Sequence, residues 1–308
     1  MNRQLARGDV PTVREARDEV RCVVPTQDVL GETPLWCNRT QSLVWLDIDG
    51  GKLQRFQPAS GRHDTFTFDA RHVGTAALCE STDTILLGMD LGVFLFDLGS
   101  GNCDKLCQVE DAAIDNRLND GRCDGEGRLW VGTMDNQLHR PGGAFYRVDP
   151  DGSVHRQFDG VIVSNTVALS PAQDRLYFSD TRRFVTWQFV LDVRNGTLGD
   201  RRVFVDHTPT KDRPDGACVD RDGYVWIALF AGGRVVRYAP DGRVDTIVHL
   251  PVTNPTCVCL GGSEMRTLFI TTARKFLTRS QLRCEPLAGA VLAIDVLTPG
   301  LDESRFRR

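Results

Sequence analysis

The feature that most constrains this chain is a strand-like run centred on one large residue, which recurs six times within 308 residues. Successive anchor residues are separated by 41, 44, 47, 49 and 43 positions. A repeat of about 40–50 residues built from short strands is the length of one four-stranded β-propeller blade. The pattern therefore predicts an all-β fold, a six-bladed β-propeller with four-stranded blades. The anchors are Trp45, Leu86, Trp130, Tyr177, Trp226 and Phe269.

A propeller ring must also close, because an open ring would leave unpaired strand edges. Residues 20–24, VRCVV, are the predicted closing strand, and they should pair beside GAVLAIDV at residues 289–296. Six repeats leave no room for a second domain. We therefore expect an N-terminal extension at residues 1–18 and a single propeller domain at residues 19–308.

Charge and hydropathy narrow the possible partners. The net charge of −4 does not favour nucleic-acid binding, and no run approaches the roughly 20 apolar residues of a membrane helix. The charged N-terminal residues do not resemble a signal peptide, so the expected location is cytoplasmic. The expected partner is a small molecule, and the protein is expected to be a monomer or a small homo-oligomer.

Polar residues recur at matching places before five of the six anchors. Glu32 lies 13 residues before Trp45, and the corresponding intervals are 11 for Asn119, 12 for Asn165, 11 for Asp215 and 15 for Asn254. In blade 2 the matching place holds only Val73 and Gly74. These positions begin the strands that should line the central channel, so their side chains are expected to converge at one rim.

Carboxylate and amide oxygens around one axis are ligands for a hard divalent cation. Two carboxylates would balance the charge of such an ion. The alternative is that each Asn or Asp only stabilises a turn, which is reasonable for one residue but less so for a set at equivalent positions. Calcium, zinc, manganese, iron and magnesium all accept oxygen ligands.

Five segments give the chain a family resemblance over residues 28–298. They are GETPLW (31–36), NRLNDGRCDGEGRLWVGTM (116–134), SNTVALSP (164–171), RPDGACVDRDGYVWIALFAGGRVVRY (213–238) and LFITTAR (268–274). In order and spacing they resemble the regucalcin/gluconolactonase (senescence marker protein) family. Two further segments, EDAAIDNRLND (110–120) and TTARKFLTRSQLRCEPLAGAV (271–291), are most similar to bacterial sugar lactonases.

The resemblance implies a propeller that holds one metal ion at the mouth of its channel. Glu32, Asn165 and Asp215 match the metal ligands of the family, and Arg117 and Asn119 match residues that contact the lactone. Asp135 lies near the place where some members carry an acidic substrate contact. The implied activity is hydrolysis of an aldonolactone, such as glucono-, arabinono- or xylonolactone, to the aldonic acid.

The chemistry leaves several alternatives open. Asp215 could take a proton from the attacking water, or the metal could activate that water itself. The same scaffold could serve a phosphotriesterase or aryl-esterase, because a fold does not determine a substrate. A calcium-binding regulator without catalytic activity is a further alternative.

Overall fold

A computed structural model describes residues 13–16, 19–111 and 115–308. Its described residues form 25 strands, one short α-helix and one 3₁₀ turn. The first six strands are β1 (Arg14–Ala16), β2 (Arg21–Val24), β3 (Gly31–Cys37), β4 (Ser42–Asp47), β5 (Lys52–Gln57) and β6 (Arg62–Thr67). Strands β3 to β6 form blade 1 as an antiparallel meander.

The next three blades repeat this four-stranded meander. Blade 2 consists of β7 (Val73–Leu78), β8 (Thr84–Met89), β9 (Gly92–Asp97) and β10 (Cys103–Gln108). Blade 3 consists of β11 (Asn116–Cys123), β12 (Leu129–Asp135), β13 (Gly143–Val148) and β14 (Val154–Val161). Blade 4 consists of β15 (Ser164–Leu169), β16 (Arg175–Asp180), β17 (Val185–Asp192) and β18 (Thr197–Asp206), with the 3₁₀ turn Thr181–Arg183 after β16.

The last two blades involve the N-terminal strands. Blade 5 consists of β19 (Arg213–Val219), β20 (Val225–Phe230), β21 (Arg234–Tyr238) and β22 (Val244–His249). Blade 6 consists of β23 (Pro255–Gly261), β24 (Thr267–Thr272), β25 (Val291–Asp295) and β2, with α1 (Arg279–Cys284) between β24 and β25. The predicted six-bladed all-β propeller is confirmed, and so is the closing pair, because Cys22 lies opposite Leu292.

Strand β1 adds a fifth, parallel strand to the outer edge of blade 5, where Arg14 pairs with Thr246. Residues 1–12 and 17–18 lie outside the described residues. The division into an extension at residues 1–18 and a domain at 19–308 therefore stays a prediction.

Ring closure is visible in the packing of the first strand of every blade. Strands β3, β7, β11, β15, β19 and β23 contact one another in cyclic order, and β23 packs against β3. All six anchors lie on the second strand of a blade and are almost completely buried. Burial of an indole requires a partner for its N–H, and Trp45 donates to Asp28, Trp130 to Asp124 and Trp226 to Asp220.

The C-terminal tail covers one end of the central channel. Phe306 is fully buried and its amide donates to Leu78 O, while Arg307 N donates to Gly127 O. Glu303 reaches Arg122, which projects from β11. The tail therefore joins several blades and leaves the opposite end as the accessible mouth. No helix among the described residues has the length and apolar character to cross a membrane.

Candidate metal centre and active-site pocket

The first strand of every blade contains an irregularity near the mouth of the channel. The register between the first and second strands shifts after Glu32, Val73, Asn119, Asn165, Pro214 and Pro255. A β-bulge places two residues opposite one and redirects the side chains around it. Six bulges at one level therefore turn the mouth-facing residues away from simple alternation and toward the axis.

Two bulges include a threonine in the left-handed region, directly after a predicted ligand. Thr33 follows Glu32 with φ 47°, and Thr166 follows Asn165 with φ 58°. This conformation is uncommon for a β-branched residue. Thr33 N donates to Glu32 Oε2 at 2.8 Å, and Thr166 Oγ1 donates to Asp215 O at 2.5 Å. Each threonine therefore makes a hydrogen bond with a predicted ligand, Thr33 with the Glu32 side chain and Thr166 with the Asp215 backbone.

The three predicted metal ligands converge at the bottom of the mouth. Glu32 of blade 1, Asn165 of blade 4 and Asp215 of blade 5 are all buried and line one cavity of about 100 Å³. The carboxyl groups of Glu32 and Asp215 are close enough for each to change the pKa of the other. Arg117 and Asn119 line the same cavity. Five of the six residues predicted for the site are therefore neighbours.

A chain of hydrogen bonds orients the amide of Asn165. Its Nδ2 donates to Thr181 Oγ1 at 2.8 Å, and its Oδ1 accepts from Asn119 Nδ2, also at 2.8 Å. Asn119 Nδ2 also donates to Ser164 O at 2.7 Å, and Asn119 Oδ1 accepts from Arg117 Nη1. A carbonyl oxygen has two lone pairs, so Asn165 Oδ1 retains capacity for one more partner.

The missing polar residue in blade 2 has a steric explanation. A Cβ atom at Gly74 would lie 1.9 Å from Leu118 O and 3.5 Å from Arg117 Nη1. No side chain fits there while β7 and β11 pack so closely. Glycine in blade 2 therefore provides the space that the Arg117 side chain occupies.

The carboxylates of this centre are electrostatically unfavourable without a cation. Burial and the nearby charge of Asp120 raise the pKa of Glu32, while burial and the charges of Glu32 and Asp120 raise the pKa of Asp215. Burial also raises the pKa of Asp120 to about 6. Arg117 is the nearby cation, and burial lowers its own pKa despite the attraction of Asp49, Glu32 and Asp215.

Two residues predicted from the sequence are not part of this convergence. Asp135 is fully buried, but its carboxylate binds Arg140 Nη2 at 2.6 Å and accepts from the backbone N–H groups of His139 and Arg140. It orders the loop after β12 and does not line the cavity. Asn254 directs its amide to Lys275 O at 2.9 Å and does not line the cavity either.

The structure adds residues to which the sequence reasoning assigned no role. Asp120 directly follows Asn119, and its Oδ2 accepts from Val167 N at 2.7 Å beneath the candidate ligands. Lys275 lines the cavity and pairs with Asp49 at 2.7 Å. The bulge after Asn119 allows the consecutive residues Asn119 and Asp120 of β11 to lie at the same centre. A regular strand would point them to opposite faces, so the sequence pattern alone does not predict this arrangement.

The donor set fits a hard divalent cation. Two adjacent buried carboxylates and one oriented amide oxygen supply only oxygen atoms, the ligand type that such ions prefer. No group of three or more His, Cys, Asp and Glu side chains in the described part of the chain is arranged to hold a metal ion. A site here therefore depends on Asn165 as its third protein ligand.

Comparison with known families matches residues 30–274 to the family described as SMP-30/Gluconolactonase/LRE-like region. The chain belongs to this family. Two relatives of this SMP-30/gluconolactonase member cover nearly all of its length. A 6-deoxy-6-sulfogluconolactonase of Pseudomonas putida is 37% identical over 94% of this chain and 99% of its own length. An L-arabinolactonase of Azospirillum brasilense is 36% identical over 91% of this chain and 93% of its own.

A solved structure agrees with the fold of this family member. The crystal structure of regucalcin from Agrobacterium tumefaciens, a calcium-binding protein, superimposes with a TM-score of 0.92 at 28% identity. The match covers 96% of this chain and 100% of that one.

Proposed function

We propose that this protein is a metal-dependent carboxylic-ester hydrolase that opens the ring of a sugar lactone to give the aldonic acid. The observation that carries the proposal is the pair of adjacent buried carboxylates, Glu32 and Asp215, beside Asn165 at the bottom of an accessible cavity. The names of the two relatives, both lactonases, support lactone as the substrate class. Those names cover a pentose lactone and a sulfonated hexose lactone, so they leave the individual sugar open.

Glu32, Asn165 and Asp215 would hold the metal ion. When bound, a divalent cation supplies Lewis-acid polarisation of a carbonyl oxygen and lowers the pKa of bound water. The charge of the ion would also remove the repulsion between the two carboxylates, which is the physical reason for the site to favour a cation. Calcium, zinc, manganese, iron and magnesium are the candidates.

Asp215 is the proposed catalytic residue. Its carboxylate lies at the bottom of the cavity, where one oxygen can accept the proton of a water molecule that attacks the lactone carbonyl. Burial raises the pKa of this carboxyl group in the metal-free site, and a bound cation would lower it again, so activation of the water by the metal itself stays an alternative. Thr166 Oγ1 holds the Asp215 backbone carbonyl and thereby fixes the direction of the side chain.

Arg117 and Asn119 are the proposed substrate-binding residues. Arg117 Nη1 donates to Leu118 O and Asn119 Oδ1, whereas no hydrogen bond from its Nη2 or Nε is found in the described residues. Those free donors can bind paired hydroxyl or carboxyl oxygens of the substrate. Asn119 connects Arg117 to Asn165 and so couples substrate binding to the metal centre. We assign Asp135 no direct contact with substrate; it orders the loop at residues 136–140.

The decisive experiment assays metal-depleted protein against pentono- and hexonolactones, with each candidate ion restored in turn. We expect no hydrolysis above the spontaneous rate without metal and recovery with at least one ion. Ring opening that persists unchanged after chelation would contradict metal dependence. A higher rate on a paraoxon-like ester than on every lactone would instead assign the site to aryl-ester or phosphotriester hydrolysis. Metal binding without any hydrolysis would favour the calcium-binding alternative.

A further inference from the structure

Two arginines at the mouth of the cavity have no role in the proposed hydrolysis. Arg182 belongs to the 3₁₀ turn after β16, and Arg213 begins β19. Both line the cavity together with the candidate metal ligands, and both are exposed. They come from different blades, so their shared position is a product of the fold.

A short hydrogen bond makes the two arginines neighbours. Thr181 Oγ1 donates to Pro214 O at 2.6 Å, and these residues directly precede Arg182 and directly follow Arg213. Thr181 Oγ1 also accepts from Asn165 Nδ2 at 2.8 Å. The two arginines are thus attached to the same hydrogen-bonded chain that orients a candidate metal ligand.

The acidic residues next to these arginines in sequence are already engaged. Asp180 accepts from Ile162 N at 3.0 Å and pairs with Arg183 at 3.2 Å. Asp212 pairs with Arg234 at 2.5 Å. Within residues 13–16, 19–111 and 115–308, no ion pair involves Arg182 or Arg213, in contrast to the Lys275–Asp49 pair across the same cavity.

The charge balance of the cavity is positive at its mouth. Its lining contains two carboxylates, Glu32 and Asp215, and four cationic side chains, of which Lys275 is already paired with Asp49; the other three are Arg117, Arg182 and Arg213. A divalent cation would neutralise those carboxylates, which leaves the arginines at the mouth as uncompensated charge. A neutral sugar lactone would not use them.

We propose that Arg182 and Arg213 bind a tetrahedral oxyanion, a sulfonate or phosphate group, at the end of the lactone substrate remote from its carbonyl. Two guanidinium groups from separate blades present forked donors to a group with three anionic or partly anionic oxygens. The inference rests on the proposed lactone hydrolysis and specifies its substrate class. Arg182 and Arg213 are specificity-determining residues in this assignment, and they do not take part in ring opening.

The test compares three lactones with the metal-loaded protein: gluconolactone, and gluconolactone with a sulfonate or a phosphate at carbon 6. We expect kcat/KM for at least one anionic lactone to exceed that for the neutral lactone by about 100-fold, since charge-assisted bonds add roughly 1.5–3 kcal/mol each. The sulfonate and phosphate arms identify which anion the site prefers.

Variants then assign this preference to the arginines. Arg182→Ala and Arg213→Ala should each lower kcat/KM for the preferred anionic lactone by about 10–30-fold, mainly through KM, because each removes one charge-assisted contact. Hydrolysis of neutral gluconolactone should stay within about threefold, a margin set by surface substitutions elsewhere. Arg183→Ala is the matched control, because Arg183 lies on the same turn but pairs with Asp180.

A binding measurement separates this inference from the proposed hydrolysis. Calorimetric titration of metal-depleted protein with the sulfonated and phosphorylated aldonic acids should show binding that Arg182→Ala weakens and added salt reduces. If the protein opens no lactone, the proposed hydrolysis is refuted. Binding of these acids that depends on the arginines would still support the oxyanion site. Two results would overturn the oxyanion site. One is an equal kcat/KM for neutral and anionic lactones, and the other is an equal loss of kcat/KM for both kinds of lactone in the arginine variants.

Discussion

Strand β11 carries one arginine to each end of the central channel, and the two have opposite environments. Arg117 lies at the open mouth and Arg122 at the end covered by the C-terminal tail. Arg122 donates to Val167 O, Ala217 O and Glu303. Burial opposes its charge, but Glu303 and smaller contributions from neighbours such as Asp120 together outweigh burial, so the pKa of Arg122 is raised. The pKa of Arg117 is lowered, with burial as the main cause.

This difference shows where the fold has balanced its charges internally and where it has not. At the covered end, Arg122 has a partner from the chain itself, the carboxylate of Glu303. At the mouth, burial and Asp120 raise the pKa of Glu32, burial, Glu32 and Asp120 raise the pKa of Asp215, and Arg117 does not balance these shifts. Buried charges without partners are costly, so such an imbalance is typical of a site whose partner is a ligand.

The largest expected effect is at the mouth. Asp215→Ala should reduce lactone hydrolysis at least about 1000-fold, equivalent to about 4 kcal/mol, and should abolish the rise in melting temperature that metal produces in the wild type. The variant removes both a metal ligand and the proposed base. Steady-state rates and calorimetric melts with and without metal measure the two effects. Full lactonase activity in the folded variant would refute the assignment.

At the covered end the expected effect is on stability. Glu303→Ala should lower the free energy of unfolding by about 3 kcal/mol, because removing one partner of a buried ion pair leaves Arg122 uncompensated. Denaturant titration measures this loss, and kcat should not change. Asp302→Ala is the control, since Asp302 is exposed and, among the described residues, its side chain bonds only the exposed Asn38. A loss of metal binding in Glu303→Ala would show that the two ends are not independent.

A smaller effect is expected for the arginine at the mouth. Arg117→Ala should raise KM or lower kcat by about 10–30-fold, or roughly 2 kcal/mol, because it removes charge-assisted donors to substrate oxygens. Metal affinity should be unchanged or slightly higher, since a cation near the carboxylates is lost. Kinetics combined with metal titration separates these effects. A large loss of metal affinity would argue against a role in substrate binding.

The smallest expected effect is a gain in stability. In metal-free protein at pH 9, Glu32→Gln should raise the melting temperature by about 2 °C, because replacing one of two adjacent carboxylates relieves repulsion of about 1 kcal/mol. With metal present, the same substitution should lower the melting temperature instead. Scanning calorimetry under both conditions checks the reversal. A lower melting temperature of Glu32→Gln without metal would mean that other groups of the chain already compensate the charges of the two carboxylates.

The sequence by itself determined the fold and the identity of the central residues. The spacing of six large anchors predicted the blades, because each blade must bury one such residue in its second strand. Equivalent positions before the anchors identified Glu32, Asn119, Asn165 and Asp215, and family resemblance identified Arg117. These features are local or periodic, so the order of residues along the chain is enough to reveal them.

The tertiary structure decided which of these side chains share one site and what surrounds them. In the folded protein Asp135 pairs with Arg140, and Asn254 donates to Lys275 O, so neither side chain faces the cavity. A bulge in β11 brings Asp120 to the site, which the alternation of a regular strand does not predict. It also placed Arg182 beside Arg213 and Arg122 against Glu303, pairs separated by 31 and 181 residues. Such contacts depend on how blades pack around the ring, and no local pattern in the sequence encodes that packing.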